Sequence, residues 1–540
     1  MIKGFKIFLF LVFVTVFSSQ IFALDIDEHW KMHIRNDFVL TYNDVWGPGQ
    51  SNSFLYQGNK GWSYEDRFDF LNRLTVGDVL YEFDTEISLT NNEKLDVEDV
   101  SPKKIYFLRN SPSTFFRLGD FFANFSQYSL NQNLKGAIFT LKESETNPWK
   151  ITALTGAYKT RWEYTWNDES DELKDTYFYG ARAEGEIGYL KLNGNYVFTD
   201  EYRLDNIPSN TNRSMTEIVH NHLGSIDWRF KPTGGLDLSG ESAVSRFRSS
   251  NANRDVGFAH KLRARLRVKK LRTQLEYERT PSDFHTPGGS ASSDRERYRI
   301  RNNYYLGDND LFLNYTSYFD NTQDTLTTTT KAKMPEIGLN LRNLFARRTL
   351  SAMIRLRERR MHQSNSGRDE RADTATFSLQ DRFGPFRPGL EYECRRINPR
   401  KNVNDSGQKT HAVSLRMNSY HRTENWTLRP SVSLRHEETH DYSLSPNRGL
   451  NSDWIWSGRL SGNFRRNLRF STAYNHSYAD NYIFDSDSRR RVFRCAADYN
   501  LGGSRDNVIG IEYQDRRNSF SQSGSDYNEA IWKFKWSKRF

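Results

Sequence analysis

Cysteine is nearly absent: Cys394 and Cys495 are the only two in 540 residues. No CxxC and no CxxCH occurs, so no covalent haem is expected. Aliphatic bulk is also scarce. Hydrophobic residues make up 36% of the chain, and mean hydropathy is −0.80. A soluble protein of this length buries a core rich in Leu, Ile and Val, which excludes several ordinary globular domains. Long apolar runs are missing after residue 23, which excludes a transmembrane helix in the rest of the chain. Linkers, low-complexity tracts and a separate soluble domain are missing too.

Aromatic residues are plentiful: 14% of the chain, with 28 Tyr and 37 Phe. Disorder accounts for polarity but not for these. Their placement has period two. Trp30, Met32, Ile34, Phe38, Leu40 and Tyr42 share one parity, interrupted by Asn36. Tyr81, Phe83, Ile87 and Leu89 repeat the pattern, as do Leu262, Ala264, Leu266 and Val268. Leu350, Ala352, Ile354 and Leu356 do so again. Alternate side chains of a strand point to opposite faces, so each set makes one apolar face. A helix would scatter them.

The intervening positions are polar, and several are charged. Arg263, Arg265 and Arg267 alternate with one apolar set, Arg355, Arg357 and Arg359 with another, and Glu82, Asp84 and Glu86 with a third. Connections alternate in length. Gly77-Asp78, Lys231 to Gly235, Gly307 to Asp310 and Gly502 to Asp506 read as tight turns. Segments 44–63, 200–218, 281–295, 397–410, 437–453 and 518–527 read as long polar loops. The chain therefore reads as all-β: a transmembrane antiparallel up-and-down barrel of about 24–26 strands with short periplasmic turns and long extracellular loops. The uncertain stretch is 104–142. Phe116 to Phe122 within it reads either as two strands joined by a tight turn or as an inward-folded segment, which would leave about 24 strands.

Residues 1–23 read as a cleaved signal peptide, with Lys3 and Lys6 ahead of the apolar Ile7 to Phe17 and a small-residue site at Ile21-Phe22-Ala23. Residues 24–540 are then the barrel. The last strand, with Trp532, Phe534, Trp536 and Phe540 on one parity, resembles the terminal strand by which outer-membrane proteins are read by their insertion machinery. Lys538 departs from that pattern. The whole resembles the porin-like outer-membrane β-barrels of Gram-negative bacteria. By size, strand number and lack of a plug domain it is similar to the barrel sheaths of porin–cytochrome conduits, although an N-terminal CxxC found in some of them is missing. The large barrels of lipopolysaccharide export and of pilus ushers are a further likeness, without their extra domains.

The resemblance implies integral placement in the outer membrane after export, in contact with lipid and lipopolysaccharide. It also implies a role as a channel for solutes or as a sheath around a lumen-filling periplasmic protein such as a multihaem cytochrome. The alternatives are a structural or adhesive barrel and an export barrel for polysaccharide or lipid. The nine charged residues above are expected to line the lumen, where rings of charge tune what passes; pairing across the wall is the other reading. A basic isoelectric point of about 9.2 reads as a basic lumen rather than nucleic-acid binding.

Enzymatic chemistry is not expected. His220 and His222, and His436 and His440 beside Glu437, Glu438 and Asp441, lie at strand ends without the spacing of a triad or dyad. Asp308-Asn309-Asp310 and Asp485-Ser486-Asp487 read as turns rather than metal loops. No metal or cofactor bound by the chain itself is expected. Cys394 and Cys495 read as small lipid-facing residues on separate strands.

Overall fold

In the computed structural model, residues 29–540 are described except 54–59, 93–95, 97–98, 143–148, 160, 163–173, 205–214, 251–253, 293, 324–327, 365–368, 400–406, 442–447, 466, 483–485, 504–505 and 522–523. The signal peptide and Asp485 lie outside the described residues.

The strands are β1 (Trp30–Trp46), β2 (Gly61–Val76), β3 (Val79–Thr90), β4 (Val100–Asn110), β5 (Thr114–Ser126), β6 (Leu130–Lys142), β7 (Lys150–Tyr158), β8 (Lys174–Ile187) and β9 (Leu190–Leu204). Next come β10 (Met215–Thr233), β11 (Leu236–Ser249), β12 (Asp255–Val268), β13 (Leu271–Thr280), β14 (Arg295–Leu306), β15 (Asn309–Asp320), β16 (Thr330–Arg342), β17 (Ser351–Gln363) and β18 (Asp369–Gln380). The last are β19 (Phe386–Pro399), β20 (Gln408–Ser419), the two-residue β21 (His421–Arg422), β22 (Trp426–Asp441), β23 (Arg448–Phe464), β24 (Leu468–Asn481), β25 (Ser486–Asn500), β26 (Asn507–Phe520) and β27 (Tyr527–Arg539).

Each strand pairs antiparallel with the next, and β27 returns to pair with β1. β21 only continues the end of β20 alongside β22, so the wall is a closed barrel of 26 strands. Closure satisfies the backbone without an edge, which a membrane demands. At the seam Phe38 pairs with Trp536, Leu40 with Phe534 and Tyr42 with Trp532. The Phe540 N–H donates to the Ile34 carbonyl at 2.8 Å. The terminal aromatic parity thus belongs to the outer face of the closing pair.

Large apolar side chains stand exposed all around that outer face, among them Trp62, Phe83, Phe258, Leu266, Ile354, Leu356, Val432 and Phe534. Water would not tolerate so continuous an apolar surface on a monomer; lipid does. Cys394 and Cys495 are free, share this outer parity, and sit on the non-adjacent strands β19 and β25. The opposite face carries the polar residues, including buried Asn195, Asn221, Ser225, Glu241, Glu276 and Glu512.

The connection rhythm has two exceptions of consequence. On the long-loop side, β5 and β6 are joined by only Gln127, Tyr128 and Ser129, and residues 281–292 do not stay outside. Both fold into the barrel. The tight turn expected within Phe116 to Phe122 does not form, because Gly119 and Asp120 lie inside the continuous β5; the lower halves of β5 and β6 build the wall and their upper halves leave it together.

Candidate functional site: the occluded lumen

β5 pairs with β4 only from Phe115 to Gly119, against Asn110 to Tyr106. β6 pairs with β7 only from Lys135 to Lys142. Beyond those points the two strands remain paired with each other but leave the wall. The departure occurs at Gly119 and Gly136, which are register partners. Gly119 has φ +106°, and a Cβ there would lie 2.1 Å from the Ile105 carbonyl oxygen. A Cβ on Gly136 would lie 2.1 Å from the Thr155 carbonyl oxygen. Only glycine fits such a bend and approach. Asp120 then seals the notch: it accepts from the Ile105 N–H at 2.7 Å, the Trp162 indole at 2.6 Å and the Lys135 ammonium at 2.7 Å.

The inserted half lies along the inner wall. Phe121, Ala123, Phe125, Leu130 and Leu134 pack on Leu154, Phe178 and Val197 of β7, β8 and β9. At the tip Tyr128, fully buried, packs with Leu223, Ala243, Ala259 and Phe284, meeting the Phe284 ring edge-on at 5.5 Å. Each such side chain contributes roughly 1.5–3 kcal/mol by leaving water. Burial, and next the Glu278 carboxylate, push the Tyr128 phenol well above its ordinary value, so it stays neutral.

Segment 281–292 clamps the tip. The Asn131 N–H donates to the Gly288 carbonyl at 2.7 Å, and the Ser290 N–H to the Gln127 carbonyl at 2.9 Å. The Thr286 hydroxyl donates to the Tyr128 carbonyl. The clamp is fastened to the wall by the His285 N–H on Ser245 Oγ at 2.9 Å and by Asn221 on the His285 carbonyl at 3.1 Å. Polar contacts finish the tip: Gln127 donates to Glu278 at 2.7 Å and accepts from Lys261. We expect Gly119→Val to prevent the bend, leaving the upper hairpin undocked; limited chymotryptic cleavage at the now exposed Phe125 and Tyr128 would report it, and a cleavage pattern unchanged from wild type would argue against the hinge.

The nine charged residues of the three triads lie on the face opposite the exposed apolar side chains, in three different states. Glu82, Asp84 and Glu86 are neutralised: Arg73 meets Glu82 at 2.5 Å, Lys104 meets Asp84 at 2.6 Å and Arg67 meets Glu86 at 3.1 Å. The arginine triads are graded along their strands. Towards the long-loop end, Arg263 pairs with Glu276 at 3.1 Å and Arg359 pairs with Glu370. In the middle, Arg265 reaches Asp237 only at 3.9 Å. Towards the short-turn end, Arg267 stands directly opposite Arg272 on β13, an arrangement that repels. Among the described residues, Arg267, Arg272, Arg301, Arg355, Arg357, Arg416, Arg459 and Arg469 make no ion pair with a carboxylate. A groove of about 450 Å³ gathers Arg265, Arg267, Arg272 and Arg301. On β12 to β14 the uncompensated charge of the inner wall is thus cationic and lies at the short-turn mouth.

His220 contacts Asp200 and stacks on Phe198, while His436 stacks on Trp454 with centroids 4.0 Å apart. Asp308 and Asp310 hold Asn343 and Asn340 across turns. No group of three or more His, Cys, Asp or Glu able to hold a metal occurs among the described residues.

These features define a transmembrane β-barrel fold of the outer-membrane type: closed, even-stranded, antiparallel, apolar outside and polar within. No family model matches the chain, and no curated protein matches it. Solved structures of similar fold include the translocation pore of the P pilus usher PapC, at 12% identity and TM-score 0.40 over 94% of this chain and 99% of that one. The outer-membrane transporter YddB of Escherichia coli aligns at 9% identity and TM-score 0.45 over 94% and 80%. The iron transporter FrpB of Neisseria meningitidis aligns at 11% and 0.41 over 95% and 81%.

Proposed function

We propose that the protein is a gated outer-membrane channel that favours anions. The observation that carries this reading is the cluster of arginines at the short-turn mouth of β12 to β14: Arg267, Arg272 and Arg301 have no carboxylate partner among the described residues and Arg265 reaches Asp237 only at 3.9 Å. A low-dielectric wall bearing one sign of charge concentrates counter-ions and raises their rate of entry. A barrel of 26 strands would otherwise be far wider than porins of about 16–18 strands. The inserted hairpin and its clamp supply the narrowing and, being held by a replaceable set of contacts, a gate.

The same mouth would seat an acidic periplasmic protein, including a multihaem cytochrome of the kind that porin–cytochrome sheaths enclose. The hairpin occupies lumen that such a partner would need, so passage of small anions is the preferred reading. The nine charged residues fall into roles accordingly: Arg265, Arg267, Arg355 and Arg357 attract the permeating anion, while Arg263, Arg359, Glu82, Asp84 and Glu86 hold the wall together. The test is the reversal potential of the purified barrel in a planar bilayer under a KCl gradient. Its sign is expected to report chloride as the favoured ion; a potassium-selective or non-conducting barrel would sink the proposal.

A further inference from the structure

On the outer face of β16 to β20 the alternation of apolar and polar residues changes character near the long-loop end. Lower down, Leu313, Tyr315, Ile337, Leu356, Ala375 and Cys394 line an open apolar groove of about 620 Å³. Two causes create it. Pro335 has no N–H to give to β17, and the β16–β17 pairing lapses at Met334 and Pro335 while the register on either side is kept. Ala375 and Cys394, directly paired with each other, are too short to fill the space beside Leu356.

Above this groove the same parity becomes cationic. Lys333 pairs with Arg360, and Arg360 with Arg371. Arg396 pairs with Lys409, and Lys331 stands at the end of β16. Glu358 and Asp373 lie within the cluster and engage Arg360 and Arg371. Lys331, Lys333 and Lys409 have no carboxylate partner among the described residues. At a strand rise of about 3.3 Å per residue, the four residues from Leu356 to Arg360 place the cations about 13 Å above the groove floor.

Unpaired cations on a lipid-facing parity are costly at mid-depth and tolerable only near the interface. Here they sit at the end of the strands, on long stems that reach upward. A cluster of ammonium and guanidinium groups matches phosphate, which Arg holds in bidentate fashion and Lys as a point charge. An apolar groove immediately beneath matches an acyl chain. We propose that this face binds one phosphorylated glycolipid of the outer leaflet, its sugar phosphates on Lys331, Lys333, Arg360, Arg371, Arg396 and Lys409, and one acyl chain in the groove. The inference rests on the barrel and its orientation, and is independent of the channel reading.

The test is saturable binding of bisphosphorylated lipid A to the full-length barrel in detergent, read by native mass spectrometry and by a rise in the temperature of unfolding. Dephosphorylated lipid A is expected to bind about tenfold more weakly, and so is bisphosphorylated lipid A to the triple variant Lys331→Glu, Lys333→Glu, Lys409→Glu. Phosphatidylglycerol and inorganic phosphate serve as the other arms. Equal affinity for phosphatidylglycerol, effective competition by inorganic phosphate, or unchanged binding by a folded triple variant would each overturn the site. Should the triple variant fail to fold, Cys394→Trp fills the groove without touching a charge. Weakened binding by that variant supports the proposal, and undiminished binding rejects it.

Discussion

Joining the hairpin tip to its clamp with the substitutions Gln127→Cys and Ser290→Cys is expected to hold the channel in one low-conductance state until a reductant is added. The Ser290 N–H already donates to the Gln127 carbonyl at 2.9 Å, so the two backbones run close enough for a disulfide to be tried. Cys394→Ala and Cys495→Ala remove competing thiols from strands that take no part. Reduction should restore transitions to a state of higher conductance, on the order of twofold or more, since conductance follows the open cross-section. The converse variant is Phe125→Ala. Truncating a buried Phe costs about 3–5 kcal/mol, enough to shift the docked–undocked equilibrium by two to three orders of magnitude. That barrel should dwell mainly in the wide state. Identical current traces for the oxidised, reduced and Phe125→Ala channels would show that the hairpin is a fixed constriction and not a gate.

The second large effect is on ion selectivity. Replacing Arg265, Arg267, Arg272 and Arg301 together by Glu should invert the sign of the reversal potential and change the anion-to-cation permeability ratio about tenfold or more, equivalent to about 1.4 kcal/mol. Individually each arginine is screened by its neighbours and by salt, so single reversals should have graded, smaller effects. A matched reversal of Arg263, which already pairs with Glu276 at 3.1 Å, is expected to lower stability more than it alters selectivity, because it sets a second carboxylate against the buried Glu276 and leaves only Arg299 and Arg297, at 3.6 and 3.9 Å, to compensate. If the fourfold variant keeps the selectivity of the wild type, the short-turn mouth does not set the permeation preference.

Much of the wall was legible from residue order. The parity of Leu262, Ala264, Leu266 and Val268 against Arg263, Arg265 and Arg267 assigns both faces of β12 without knowing its neighbours. The state of those arginines was not legible, because it depends on which residue the next strand places opposite. Arg263 meets Glu276, whereas Arg267 meets Arg272; only the register distinguishes them. The inserted hairpin carried a weak local signal. Phe121, Ala123, Phe125, Leu130 and Leu134 occupy the parity that is polar in other strands, and Gly119 and Gly136 stand where the pattern changes. Segment 281–292 gave less warning. Its Pro281, Gly288 and Gly289 suit an external loop equally well, and what draws it inward is Phe284 finding Tyr128, a partner more than 150 residues away in sequence. The outer groove was invisible for a similar reason: Pro335, Ala375 and Cys394 lie on three strands and leave a space only when those strands are neighbours.

The seam between β1 and β27 has a consequence for how the molecule comes into being. Ser537 reaches Asp37 across 500 positions of chain, and Phe540 itself bonds to Ile34. The entropy of closing so long a loop grows only slowly with its length, so the completed ring loses little equilibrium stability by it. Timing is another matter. Until the final residue is available, the growing sheet keeps two open edges, each able to pair with a stranger, and contacts of such sequence separation form slowly. Assembly must therefore be guarded from its first strand to its last, and a chain without β27 would leave β1 and β26 as open edges, a sheet in search of a partner.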